Sequence, residues 1–88
     1  MITYLTPQFV ELIPEILEEG ILYVSFEYKV SLHYCPCGCG NKVILPFGQK
    51  GWEIKQKGNL ISFSPSIGSW NLECKSHYFI IENEVRFC

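Results

Sequence analysis

The sequence predicts an all-β domain, or one nearly so: a small antiparallel unit of several hairpins stapled by a zinc ion on four cysteines. Three observations predict it. Apolar and polar residues alternate with period two from Ile21 to Leu32. Later apolar stretches are of strand length and are separated by Gly, Asn and Pro. Three of the five cysteines crowd into His33-Tyr34-Cys35-Pro36-Cys37-Gly38-Cys39-Gly40.

Taken in order, Ile2 to Leu5 suits a short edge strand ended by Thr6-Pro7. Pro14 interrupts the apolar run around Phe9 to Ile13. Pro14 to Gly20 then fits one helical turn, with proline at its start and glycine as its stop, or an extended arm closing over a sheet. From Ile21 to Leu32 the residues Leu22, Val24, Phe26, Tyr28, Val30 and Leu32 alternate with more polar neighbours. That pattern predicts one long half-buried strand, or two joined by a bulge, delivering His33 and the cysteines at its end. Lys42 to Pro46 returns as a strand, so the cysteines form a hairpin tip. Trp52–Gln56 and Leu60–Ser64 predict a second hairpin across Lys57-Gly58-Asn59, and Pro65–Asn71 reads as a loop. His77–Ile81 and Val85–Phe87 predict a third hairpin across Glu82-Asn83-Glu84.

At 88 residues the chain reads as one domain, residues 1–20 being its N-terminal arm. A core of this size gives thin stability unless something else contributes. A structural zinc does contribute, by roughly 10–16 kcal/mol of apparent binding energy. The apolar fraction of 48% against 18% charged excludes a disordered chain. A net charge of −2 with scattered basic residues offers no electrostatic case for nucleic acid or an anionic membrane. All nine acids are glutamates, so the Asp of a Ser-His-Asp arrangement is missing. The first ten residues lack a basic flank and are broken by Pro7, unlike a signal peptide. With an odd, clustered set of cysteines, the expected setting is a reducing cytoplasm with thiols on metal.

Cys35, Cys37 and Cys39 stand too close in sequence to bridge one another easily. Three thiolates on a backbone bent by proline and glycine suit a tetrahedral zinc, and Cys74 is the expected fourth ligand. Such a closed site is structural, because no position remains for water. His33, His77 and Cys88 are the substitutes if one cysteine is not a ligand.

Four separated motifs, Gly20-Ile21-Leu22-Tyr23-Val24-Ser25, His33 to Gly40, Pro65-Ser66-Ile67-Gly68-Ser69-Trp70 and Cys74-Lys75-Ser76-His77-Tyr78, occur in a characteristic order. The chain thereby resembles, from about Glu11 onward, a family of short bacterial proteins. They are encoded beside ubiquitin-like proteins and the enzymes that activate and conjugate them. The resemblance implies a peptidase that processes or deconjugates the ubiquitin-like partner. The chain departs from the pattern at Ser69 and Glu73, where Asn and Pro are expected.

Within those motifs Ser66 is the candidate nucleophile and His77 the candidate base, since a serine hydroxyl needs a neighbour to take its proton. Zinc would brace the pair without binding His77, with His33 or Glu73 as orienter and amides near Gly68 for an oxyanion. The plainer alternatives are a turn serine at Ser66, a histidine serving the metal site, and packing roles for Trp52, Trp70, Tyr23, Tyr28, Tyr34 and Tyr78. At the level of function the alternatives are a non-catalytic zinc-ribbon-like adaptor for the ubiquitin-like protein or its conjugating enzyme, and a zinc metallopeptidase.

Overall fold

A computed structural model describes residues 2–49, 51–68 and 77–87. It is all-β, with eight strands and no helix among the described residues. Among the described residues no helix is therefore long and apolar enough to cross a membrane. The strands make two four-stranded sheets, in orders β1-β2-β3-β4 and β5-β6-β7-β8. Here β1 is Thr6–Phe9, β2 Ile21–Ser25, β3 Val30–Tyr34 and β4 Lys42–Pro46, while β5 is Glu53–Lys57, β6 Leu60–Gly68, β7 His77–Ile81 and β8 Glu84–Phe87.

The sheets share one core. Leu22, Val24, Val43, Leu45 and Phe47 of the first meet Ile61, Phe63, Ile67, Tyr78, Ile80 and Val85 of the second. Within β4, β7 and β8 burial alternates residue by residue, as expected of strands with one face inward.

The alternating run from Ile21 to Leu32 is not one strand, nor two joined by a bulge. It is an antiparallel hairpin, with Val24 opposite Ser31 and Ser25 opposite Val30. The turn lacks Gly, Pro and Asn; instead Lys29 takes a φ of 53°, and Ser25 Oγ accepts the Tyr28 amide at 3.2 Å. Reversal at this point puts Leu22 and Val24 inside but turns the apolar Val30 and Leu32 away, so Ser31 and His33 become the buried residues of β3.

The N-terminal region also differs from expectation. The first strand is Thr6–Phe9, paired parallel to β2, rather than Ile2–Leu5. Residues 10–20 form no helical turn and run as an arm over the outer face of the first sheet. Along it Glu11 O accepts Ser25 Oγ, the Glu18 amide donates to Tyr23 Oη, Lys42 Nζ reaches Glu15 O, and Leu17 is buried.

The hairpin turns are as tight as their residues suggest. Glu82 and Asn83, both at positive φ, close β7 onto β8 in the manner of a type I′ turn. Asn83 does more than turn the chain. It is buried, its Oδ1 accepts the Ile61 amide at 2.7 Å, and its Nδ2 donates to Asn59 O at 2.7 Å and to Tyr4 Oη at 3.2 Å. Its own carbonyl accepts the Leu5 amide. One side chain thus ties two hairpin ends to the N-terminal segment.

Candidate active site and metal-binding hairpin

Pro65-Ser66-Ile67-Gly68 is not a loop but the second half of β6. The strand starts as the partner of β5, with Glu53 opposite Ser64, and continues beyond it alongside β7. The ladder with β7 breaks between Phe63, which faces Ile80, and Ile67, which faces Tyr78. Ser64, Pro65 and Ser66 therefore stand across from Phe79 alone. Proline cannot donate to a ladder, and a bulge is where a strand tolerates it. Bulges also re-aim side chains, and this one carries Ser66 on the outer face.

His77 begins β7 and is paired with Gly68. Without a side chain at position 68, the imidazole can lean diagonally toward Ser66. His77 Nε2 and Ser66 Oγ lie 2.7 Å apart, both residues being half-buried. That is the separation at which a histidine can take a hydroxyl proton. The ring of Phe79 stacks on His77 with centroids 6.5 Å apart and planes at 25°. Behind the serine, Trp52 is partly buried against the core and its Nε1–H donates to Ser66 O at 3.4 Å. Trp52 is held in place by a tight approach of chain to chain. Its amide donates to Pro46 O, and a Cβ on Gly51 would collide with that same carbonyl.

His33 has a different place from the one expected of an orienter. It is fully buried on the inner face of β3, and its Nε2 is 2.7 Å from Tyr78 Oη. Burial pushes its pKa down to about 4, so the ring is neutral in the folded chain. Among the described residues its Nδ1 has no hydrogen-bond partner, and neither has the buried Ser31 Oγ two residues away. Tyr78 and His77 are neighbours on β7 facing opposite ways, one into the core and one toward Ser66. Tyr28, by contrast, is 60% exposed on the first hairpin turn and serves no core.

The cysteines occupy the tip of the β3–β4 hairpin, where Cys35 N donates to Asn41 O and Gly38 N to Cys35 O. Gly38 and Gly40 take φ values of 91° and 82°, which a residue with a side chain would resist. The three sulfurs lie within 4.8 Å of one another, with Cys35 and Cys37 Sγ 3.4 Å apart, and Asn41 Nδ2 donates to Cys39 Sγ. Thiolates about 2.3 Å from a tetrahedral zinc stand about 3.8 Å apart, so small movements close these three around one ion. The hairpin can hold a metal ion. Among the described residues neither histidine joins this cluster. Cys74 lies outside the described residues, as do Glu73, Trp70, Ser69, Ser76 and Cys88.

A serine within reach of a histidine on a half-exposed sheet face is a serine-hydrolase feature, and comparison with known families agrees in kind. A family model described as bacterial ubiquitination-like system serine protease (BubE) matches residues 9–88. The chain belongs to the BubE family. The resemblance read from the four motifs points to the same system, and the matched span covers β2–β8, the arm and the cysteine hairpin. No curated protein and no solved structure matches the chain. Membership in BubE makes this a protein of a serine protease family in a bacterial ubiquitination-like system. The sequence did not single out Phe79, which borders the histidine. Its signal was an aromatic two residues after His77 in a strand, and hence on the same face.

Proposed function

We propose that this chain is a serine peptidase that processes, or releases from conjugates, the ubiquitin-like protein of its bacterial system. Ser66 is the nucleophile and His77 the base. The observation that carries the reading is the 2.7 Å approach of His77 Nε2 to Ser66 Oγ on an accessible face. Ser66 Oγ attacks the scissile carbonyl while His77 Nε2 takes its proton. The oxyanion collapses, the bond to the leaving amine breaks, and His77 returns the proton to that amine. Water, activated by the same imidazole, then frees the acyl group from Ser66. Phe79 and Gly68 hold the imidazole in place, one by stacking and the other by leaving room.

Cys35, Cys37 and Cys39, with Cys74 as the fourth ligand, would hold a structural zinc. Four thiolates would leave such an ion no open position for substrate, so it would anchor the fold and take no part in the reaction. A fourth ligand at Cys74, three residues before His77, would tie the hairpin tip to the chain that leads into β7. The substrate partner is the ubiquitin-like protein, with its activating and conjugating enzymes as further associates, and the setting is cytoplasmic.

The test is to incubate the purified protein with the ubiquitin-like protein of the same system carrying a C-terminal extension, following products by mass spectrometry. Ser66→Ala and His77→Ala, with zinc content measured alongside, are expected to lower cleavage by about 10³-fold or more. Equal cleavage by wild type and both variants would overturn the proposal. Tight binding without any product would favour the adaptor.

A further inference from the structure

The outer face of the second sheet carries polar residues on most of its strands: Glu53, Lys55 and Lys57 on β5, Ser62 and Ser64 on β6, Glu84 and Arg86 on β8. That is the ordinary composition of a face turned to water. Strand β7 departs from it. Beside His77 it presents Phe79 and Ile81, 40% and 36% exposed, on the same face at successive alternate positions. Phe79 stands across from the bulge that bears Ser66 and stacks on the ring of His77. Ile81 continues the apolar strip away from the dyad.

We infer that Phe79 and Ile81 are specificity-determining residues, a ledge for an apolar side chain within two residues of the bond that Ser66 attacks. The inference rests on the peptidase reading above. Any peptide whose carbonyl reaches Ser66 Oγ must lay its flanking residues over this same face. The occupant is therefore the substrate itself rather than an unrelated partner. Alternate side chains of an extended peptide repeat about every 6.6–6.8 Å, as do Phe79 and Ile81 on their own strand. A peptide lying over β7, which β6 and β8 flank within the sheet, thus meets apolar surface at the spacing of its own alternate residues. A serine or glycine there leaves both side chains wet, while a leucine covers them.

The experiment uses the ubiquitin-like protein with a C-terminal extension, varied to Leu or Ser at each of the two positions on either side of the cleaved bond. Wild type is expected to prefer Leu over Ser at one of these positions by about tenfold in kcat/KM. Ile81→Ser, and Phe79→Ser combined with it, are expected to bring that ratio toward one, while Phe79→Leu keeps it. Both side chains are more than half covered, so the serine variants are expected to melt lower, and every ratio is measured below the variant's own transition. A ratio unchanged in the double variant overturns the inference. So does an equal fall in kcat for every substrate, which would mean that Phe79 only positions His77. Full cleavage by Ser66→Ala is a different failure: it removes the peptidase reading, and the ledge falls with it.

Discussion

Replacing Asn83 by alanine is expected to be the most damaging single change outside the apolar core. Three losses add. The Ile61 amide, buried and bonded to Asn83 Oδ1 at 2.7 Å, would be left without a partner, which costs about 1–3 kcal/mol. The Asn59 carbonyl would lose its 2.7 Å donor, for about 1 kcal/mol more. Asn83 also sits at a φ of 71°, where alanine is strained by about 1–2 kcal/mol and asparagine much less. The total is about 3–6 kcal/mol, a large share of the roughly 4–13 kcal/mol expected of a chain this size. Thermal or urea unfolding of the purified protein measures it, and a fall in melting temperature of at least about 12 °C is expected. Asn83→Gly removes the same hydrogen bonds but fits the backbone, so it should be milder than alanine by about 1 kcal/mol. A loss below about 1 kcal/mol for Asn83→Ala would refute the assignment of this side chain as the tie between the hairpin ends.

Gly51→Ala should destabilise by about 1–3 kcal/mol, because the new methyl meets Pro46 O and the chain beneath Trp52 must shift; urea unfolding reads it, and an unchanged midpoint would contradict the close approach. Tyr78→Phe would take from buried His33 its Nε2 partner while Nδ1 has none among the described residues, so a loss of about 1–3 kcal/mol is expected in the same assay. Titration with a chelator, followed by circular dichroism and cleavage together, should lower both in parallel if zinc is structural. Activity lost while the fold persists would point instead to catalysis at the metal.

The strand-rich nature of the chain was legible wherever turn chemistry marked the ends. Gly58-Asn59 and Glu82-Asn83 sit at real reversals, and the cysteines are at a hairpin tip. The first hairpin was not legible, because Ser25 to Val30 turns on a serine side chain and a lysine at positive φ rather than on glycine or proline. Period two continued through the turn in sequence while the buried face changed, so Val30 and Leu32 looked like core and Ser31 and His33 did not. In β6, Pro65 read as the end of a strand, since a proline removes a ladder donor. The bulge absorbs it, and Ser66 follows on the far side of that defect. Pairing between Ser66 and His77 was suggested by chemistry, there being only two histidines, but its geometry depends on Gly68 as the cross-strand neighbour. Asn83 was seen only as a turn residue, because nothing local announces that its amide will reach back to Ile61.

The surplus in the β6 bulge is an even number: three residues face one, so two are extra. Phe63 before it and Ile67 after it consequently both point into the core. Adding or removing a single residue there would invert the rest of the strand, sending Ile67 to water and Gly68 inward. Adding or removing two leaves every other side chain on its own face. The segment bearing Ser66 is thus an insert whose length can change in steps of two without inverting the strand on either side of it. Within this architecture Ser66 can therefore be lost with a neighbour, as a pair of residues, while the rest of the strand keeps its faces.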